Sequence, residues 1–141
     1  MGPSHHAHLN KCSISNFDYL ATPLGPLTVD TIVRNELIST GIFDLLQNDV
    51  DEEEHSIEMH LPLLAKAMEG ASDYKIVPIM VDALHKSLLD RTSAALTQYA
   101  KEPGNVFIIS RWVVDYNLYL FLFMLYIYIY IYIYIYNFIY H

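Results

Sequence analysis

Lys75-Ile76-Val77-Pro78-Ile79-Met80-Val81, the segment Ser87 to Ala100, Pro103-Gly104 and then Val106-Phe107-Ile108-Ile109 form the stretch that decides the fold class. The first piece is a short apolar run and reads as a buried strand, although Pro78 removes one ladder donor from it. A helix over about 87–100 follows, stopped by Pro103-Gly104, and 106–109 opens a second buried strand. Strand, helix and strand in that order make a βαβ unit. Such a unit implies parallel pairing and a three-layer α/β architecture, a mostly parallel sheet flanked by helices.

Toward the N-terminus the pattern predicts two more helices. One spans about His55 to Glu69, with Ile57, Leu61, Leu64 and Met68 on one stripe and Gly70 ending it. Pro62 falls inside that pattern and predicts a kink or a late start. The acidic run Asp49 to Glu54 before it reads as a solvated loop or first turn, placed to favour the positive pole of the next helix. The other helix is capped by Asp30, carries Ile32, Val33 and Leu37 at helical spacing, and runs to about Ser39, where Gly41 suits the stop. Thr22-Pro23-Leu24-Gly25-Pro26 is turn chemistry, because each proline removes a donor and biases its predecessor away from helix. Cys12 to Leu20 reads as a short strand or extended segment, and Met1 to Leu9 as a loop without hydrophobic period. With so few strands the sheet is incomplete, leaving apolar faces of 76–81 and 106–109 exposed.

Composition changes abruptly at position 111. Nine of the twelve tyrosines lie between Tyr116 and Tyr140, and the only charged side chains beyond Ser110 are Arg111 and Asp115. The net charge of −8 therefore belongs to residues 1–110. An acidic domain of this kind repels phosphate backbones, so no nucleic acid is expected as a partner. The single cysteine, Cys12, excludes an internal disulfide and reads as a small buried hydrophobe. The first residues carry no basic or apolar region of the kind that drives secretion.

Two groups of residues could carry chemistry. His5, His6 and His8 are closely spaced, and neutral imidazoles bind borderline metals well; a surface loop that merely contains histidines is the alternative. In Glu54-His55-Ser56-Ile57-Glu58-Met59-His60, helical spacing puts His55 with Glu58 and Ser56 with His60. His55 and His60 are five apart and point in different directions, unlike the two-histidine zinc pattern of metalloproteases. Alone, this segment reads as a polar helix start. No glycine-rich phosphate loop, nucleophile elbow or paired-cysteine zinc signal is present in the sequence.

Taken together, Gly2-Pro3-Ser4-His5-His6, Thr22-Pro23-Leu24-Gly25, the string from Asp51 to Pro62, and Val77-Pro78-Ile79 with Ala83-Leu84 resemble the Memo family. Its members are mediators of receptor-driven cell motility, with a fold similar to the extradiol dioxygenases that use non-haem iron. The resemblance covers residues 2–110. It implies a pocket for iron or copper built from two histidines and a cysteine. His5 matches one of those ligands. The other histidine is expected in a Pro-His-Ala-Gly segment ahead of this chain, and the cysteine far downstream, so the chain reads as truncated at both ends; Cys12 does not stand in. A Ser-Ser-Asp-Phe-Cys-His-Trp-Gly motif is expected after Ile109, where only Ser110 remains before Arg111-Trp112. His6, His55, Glu58 and His60 are implied as pocket-lining or supporting groups. No residue is assigned a catalytic role, and the resemblance implies a protein partner in signalling and a cytoplasmic location.

Leu118 to Tyr136 is nineteen residues without a charge, long enough to span a bilayer, which gives an alternative reading as an acidic module tethered to a membrane. Yet Tyr126 to Tyr136 alternates Tyr and Ile without exception, a strand period that as a helix would spread tyrosine hydroxyls through the bilayer interior. A repeated TA dinucleotide translates as alternating Tyr and Ile, and Arg111-Trp112 is compatible with AGG-TGG, which contains the usual exon–intron junction. Residues 111–141 thus read as a tail outside the fold, a translated intron. An uncharged β-prone segment of this sort aggregates. Deleting residues 111–141 is expected to raise soluble yield markedly. Equal soluble fractions of the full and shortened chains after centrifugation would remove the tail as the liability.

Overall fold

The computed structural model describes residues 1–71 and 73–109. Six short strands and four helices occur along them: β1 (Gly2–Pro3), β2 (Ser13–Ile14), β3 (Tyr19–Leu20), β4 (Leu27–Thr28), α1 (Thr31–Ser39), β5 (Asp44–Leu45), α2 (Asn48–Glu53), α3 (Leu61–Ala67), β6 (Ile79–Val81) and α4 (Lys86–Ala100). A turn of 3₁₀ helix over Glu58–His60 leads into α3. The main sheet has the order β1-β6-β2-β5. Its β1–β6 and β2–β5 pairs are parallel and its β2–β6 pair is antiparallel. The class is α/β with a mixed, mostly parallel sheet flanked by helices, as expected.

Strand β6 is the hub because its residues are apolar and it has a partner on each side. Met80 is opposite Gly2 on one edge and Ser13 on the other, and Ile79 and Met80 are buried. Pro78 sits just ahead of the strand, where its missing N–H costs nothing and its carbonyl still accepts from Ser15 N at 3.2 Å. Cys12, Ile14, Leu37, Phe43 and Ile79 form the core, with Val33 from α1 and Ala95, Leu96 and Tyr99 from α4 packed against it.

α1 follows its sequence closely. The Asp30 carboxylate accepts from the amides of Ile32 and Val33, both at 3.1 Å, and Gly41 takes a φ of +70° just beyond the end. Arg34 is buried; it donates to the carbonyl of Phe17 and to Asp18 Oδ1, each at 2.9 Å, which ties α1 to the segment between β2 and β3. The Thr22–Pro26 turn closes the β3–β4 hairpin, with Gly25 N donating to the Thr22 carbonyl at 3.1 Å.

Several expectations are corrected. Val106–Ile109 forms no strand, so the βαβ unit is not completed there; Val106 and Ile108 are exposed, and the Ile108 carbonyl accepts from the Met1 amino group at 2.6 Å. A strand needs a ladder of such bonds, and among the described residues 106–109 has this single one, although β1 beside it is an end strand of the sheet with a free edge. The 76–81 run is not left bare, since β6 has β1 and β2 on its two edges and Ile79 and Met80 are among the most buried side chains. The helix over about 55–69 starts late, as Pro62 predicts, with that proline in the first turn of α3, and it ends at Ala67 rather than Glu69. The acidic run ahead of it forms its own helix α2, with Asp49 and Asp51 in the first turn, where carboxylates meet the positive pole. Finally, Gly2–Pro3 pairs with β6, so the opening segment is not wholly loop.

Residues 104–108, α3, α4 and part of α1 surround an apolar groove of about 670 Å³, lined among others by Leu37, Leu61, Leu64, Ile79, Leu96 and Phe107. No helix among the described residues is long and apolar enough to cross a membrane. The 118–136 span and the rest of the tail lie outside the described residues.

Truncating Phe43, which is 1 % exposed, to alanine is expected to cost about 3–5 kcal/mol of stability. Replacing the cap Asp30 with alanine should cost only about 1 kcal/mol. Urea unfolding of the two variants measures both; equal losses would contradict this placement of the core.

Candidate functional site

The two histidine groups, some fifty residues apart in sequence, are brought together by a buried carboxylate. Glu54 leaves the end of α2 in an extended conformation (φ −93°, ψ 129°) and is 2 % exposed. One of its oxygens, Oε1, accepts from the backbone amides of His5 and His6, both at 2.7 Å. It also accepts from the Ser4 hydroxyl at 3.0 Å and the Ala7 amide at 3.4 Å. Burial by itself raises a carboxyl pKa. Here the amides of His6 and His5, the Ser4 hydroxyl and the Ala7 amide outweigh it and hold the group below the usual carboxylate range. Among the described residues, Glu54 Oε2 and the hydroxyl of Ser56 are buried with no hydrogen-bond partner.

The far end of the loop is held in the same way. Asp82, just after β6, accepts from Leu9 N at 2.8 Å and from Ala83 N at 2.7 Å, and His8 Nδ1 lies 3.7 Å from it. Burial pushes its pKa up, but the two amides and the neighbouring His8 prevail and lower it. Behind the loop, Gly2 passes so close to residues 56 and 57 that a Cβ there would lie 2.8 Å from Ser56 Oγ and 2.9 Å from Ile57 Cγ1. Only glycine permits this approach.

With the backbone N–H groups turned inward onto Glu54, His5 and His6 are exposed. The rings of His6 and His55 stand edge to face, with centroids 6.5 Å apart and planes at 82°. His55 Nδ1 and Glu58 Oε2 are 2.8 Å apart, and since the carboxylate can only accept, Nδ1 is the donor. His60 Nδ1 donates to the Ser56 carbonyl at 3.0 Å, and the residue lines the apolar groove. Both spacings expected from the sequence are therefore realised, although the backbone is a turn and 3₁₀ helix. His55 and His60 diverge, as expected; His6, His55 and Glu58 come together, and His60 belongs to another surface.

The pocket implied for iron or copper was tested against the donor atoms present. Among the described residues, no three His, Cys, Asp or Glu side chains converge on a point where one ion could sit. His5 is exposed on its loop, and Cys12 is fully buried in the core, its thiol pushed up to about 11 by desolvation. The residues present do not complete that pocket. Sequence reasoning missed Glu54, Ser4 and Asp82. The available signal was local: Glu54 is the last acid of its run and stands directly before His55.

A mixed-sheet α/β domain that presents histidines from a tethered loop beside a second polar segment is the class this fold and site define. The Memo-like protein family matches residues 1–124, beyond the compositional boundary at 110, and the chain belongs to that family. It is similar to protein MEMO1 of Xenopus laevis (46% identical over 111 residues, 78% of this chain and 37% of that protein) and of Homo sapiens (42%, with the same coverage). It is also similar to the protein memo-1 homolog of Caenorhabditis elegans, at 43% over 110 residues, 78% of this chain and 31% of that protein. The chain thus spans about a third of the length of the curated relatives it matches.

Replacing Glu54 with alanine strands the inward-turned donors of residues 4–7. A loss of about 2–4 kcal/mol is expected, the range for removing one member of a buried polar cluster. Hydrogen exchange should show the His5 and His6 amides losing protection while those of α1 keep theirs. Unchanged exchange at His5 and His6 would mean that the carboxylate does not hold the loop.

Proposed function

We propose that this chain carries part of the Memo family's role, in metal binding and in signalling to cell motility, with a metal site for iron or copper that is incomplete in these residues and without catalytic activity of its own. The observation that supports this is the ligand count. Of the three ligands that the family resemblance implies, the sequence holds His5; it contains no Pro-His-Ala-Gly segment, and its one cysteine is in the core. A single exposed imidazole holds iron or copper weakly, because affinity depends on the full ligand set and on the groups that orient it. His6, His55 and Glu58 support the same region in this reading, His60 lines the apolar groove instead, and a protein partner in a cytoplasmic signalling complex is its biological setting.

The acidic surface suits a protein partner better than nucleic acid, since net charge governs which surfaces approach. The purified chain, loaded with ferrous or cupric ion and then dialysed, is expected to retain well under one metal per chain by elemental analysis. A value near one iron or copper per chain after dialysis would overturn the incomplete site.

A further inference from the structure

The groove framed by α3, α4 and residues 104–108 has the composition of a protein interior. Twenty-four described residues line it, and only Asp30 and Lys75 among them are charged. Charged residues are 17% of the whole chain, and the surface ordinarily carries most of them, so this lining is depleted of charge. Leu37 and Ile79, two members of the core cluster, belong to the lining, which makes the groove an outward extension of the core. At its rim Leu63 and Val106 are 69% and 68% exposed.

An apolar surface of this extent marks an interface. Transient interfaces are about as polar as ordinary surface, whereas obligate ones resemble a domain core cut in half. The lining also falls within the roughly 20–30 residues that one side of a stable interface contributes. The family points to the occupant. Every lining residue falls inside the stretch 1–124 that the Memo-like family matches. The relatives share the matched stretch and are far longer, since it makes up only 37% of Xenopus laevis MEMO1. The larger share of such a protein is chain that this one does not span, and it is available to cover a charge-poor face. A basic amphipathic helix is a poorer fit, because Asp30 is the one acid in the lining. A second copy would bring a like net charge of −8 against this one.

We propose that this groove is a completion interface, at which the chain takes up in trans the part of a Memo-family domain that it does not span. The recognition is apolar: aliphatic and aromatic side chains of that partner fill the groove, and Leu63 and Val106 become buried at its edge. The interface rests on family membership and on the groove, and it involves neither His5 nor a metal ion. It therefore stands or falls separately from the reading of the metal site.

The test refolds the full 141-residue chain from urea together with the polypeptides left when the matched 111 residues are removed from Xenopus laevis MEMO1. The same polypeptides refolded with the excised Xenopus stretch are the positive control. Sedimentation velocity and hydrogen exchange are the readouts, and circular dichroism confirms that each variant of the chain is folded. A stoichiometric complex is expected, with added amide protection at α3 and residues 104–108 and little change in the β3–β4 hairpin. Leu63→Asp and Val106→Asp, both at exposed positions, should each weaken the complex at least about tenfold, because each puts a charge into a dry contact. Ile32→Asp and Leu89→Asp, at exposed apolar positions outside the lining, should leave it within about twofold. Absence of a complex overturns the proposal, as does an equal loss with Ile32→Asp and Leu63→Asp. So does a parent chain that sediments as a dimer and is dissociated by Leu63→Asp, which gives the face to a second copy. Complex formation only after removal of residues 111–141 gives it to the tail. Displacement of the Xenopus polypeptides by an amphipathic Leu/Lys peptide gives it to a basic helix.

Discussion

Burying Glu54 constrains everything at the candidate site. A carboxylate taken out of water without a cationic partner is tolerated only if hydrogen-bond donors replace the lost hydration. Here the donors are the amides of His5, His6 and Ala7 and the Ser4 hydroxyl, so the loop must turn its backbone inward and its imidazoles outward. The exposure of the histidines thus follows from satisfying an acid. Asp82 applies the same principle to Leu9 and fixes the loop's other end.

That loop is also tied to the sheet. β1 pairs with β6, Ser4 N donates to the Val81 carbonyl at 2.8 Å, and Asp82 directly follows β6, so the strand that carries the core also carries the anchor. The strands are only two or three residues long, and side-chain packing from α1 and α4 supplies much of what such short ladders lack. On another surface the apolar groove is framed by α3, α4 and residues 104–108, with His60 at its lining and away from the other histidines.

In a chain of net charge −8, a surface that presents imidazoles beside carboxylates favours cations over phosphates. No described group provides an activated nucleophile: Cys12, the only thiol, is sealed in the core with its pKa raised.

Where structure depends on neighbours along the chain, the sequence by itself determined it. Asp30 and Gly41 bracket α1 because capping is a contact over two or three residues, and Pro62 delays α3 because its ring bars the preceding turn. The pairing of His55 with Glu58 and of His60 with Ser56 likewise needed only their spacing. The motifs around His5 and from Asp51 to Pro62 carried the family, which the comparison shows over residues 1–124. Tertiary structure alone decided the rest. The run at 106–109 is apolar enough for a strand, but among the described residues it meets the end of the sheet through one backbone bond, Met1 N to Ile108 O, and no local pattern discloses how many ladder bonds a neighbour supplies. Glu54 looks like one more solvated acid in its run, and only the return of the chain past Gly2 supplies the donors that bury it. The meeting of His6 with His55 has the same origin: it is a contact across 49 residues, set by a buried charge whose partners are backbone amides, and amides leave no mark in an amino-acid sequence.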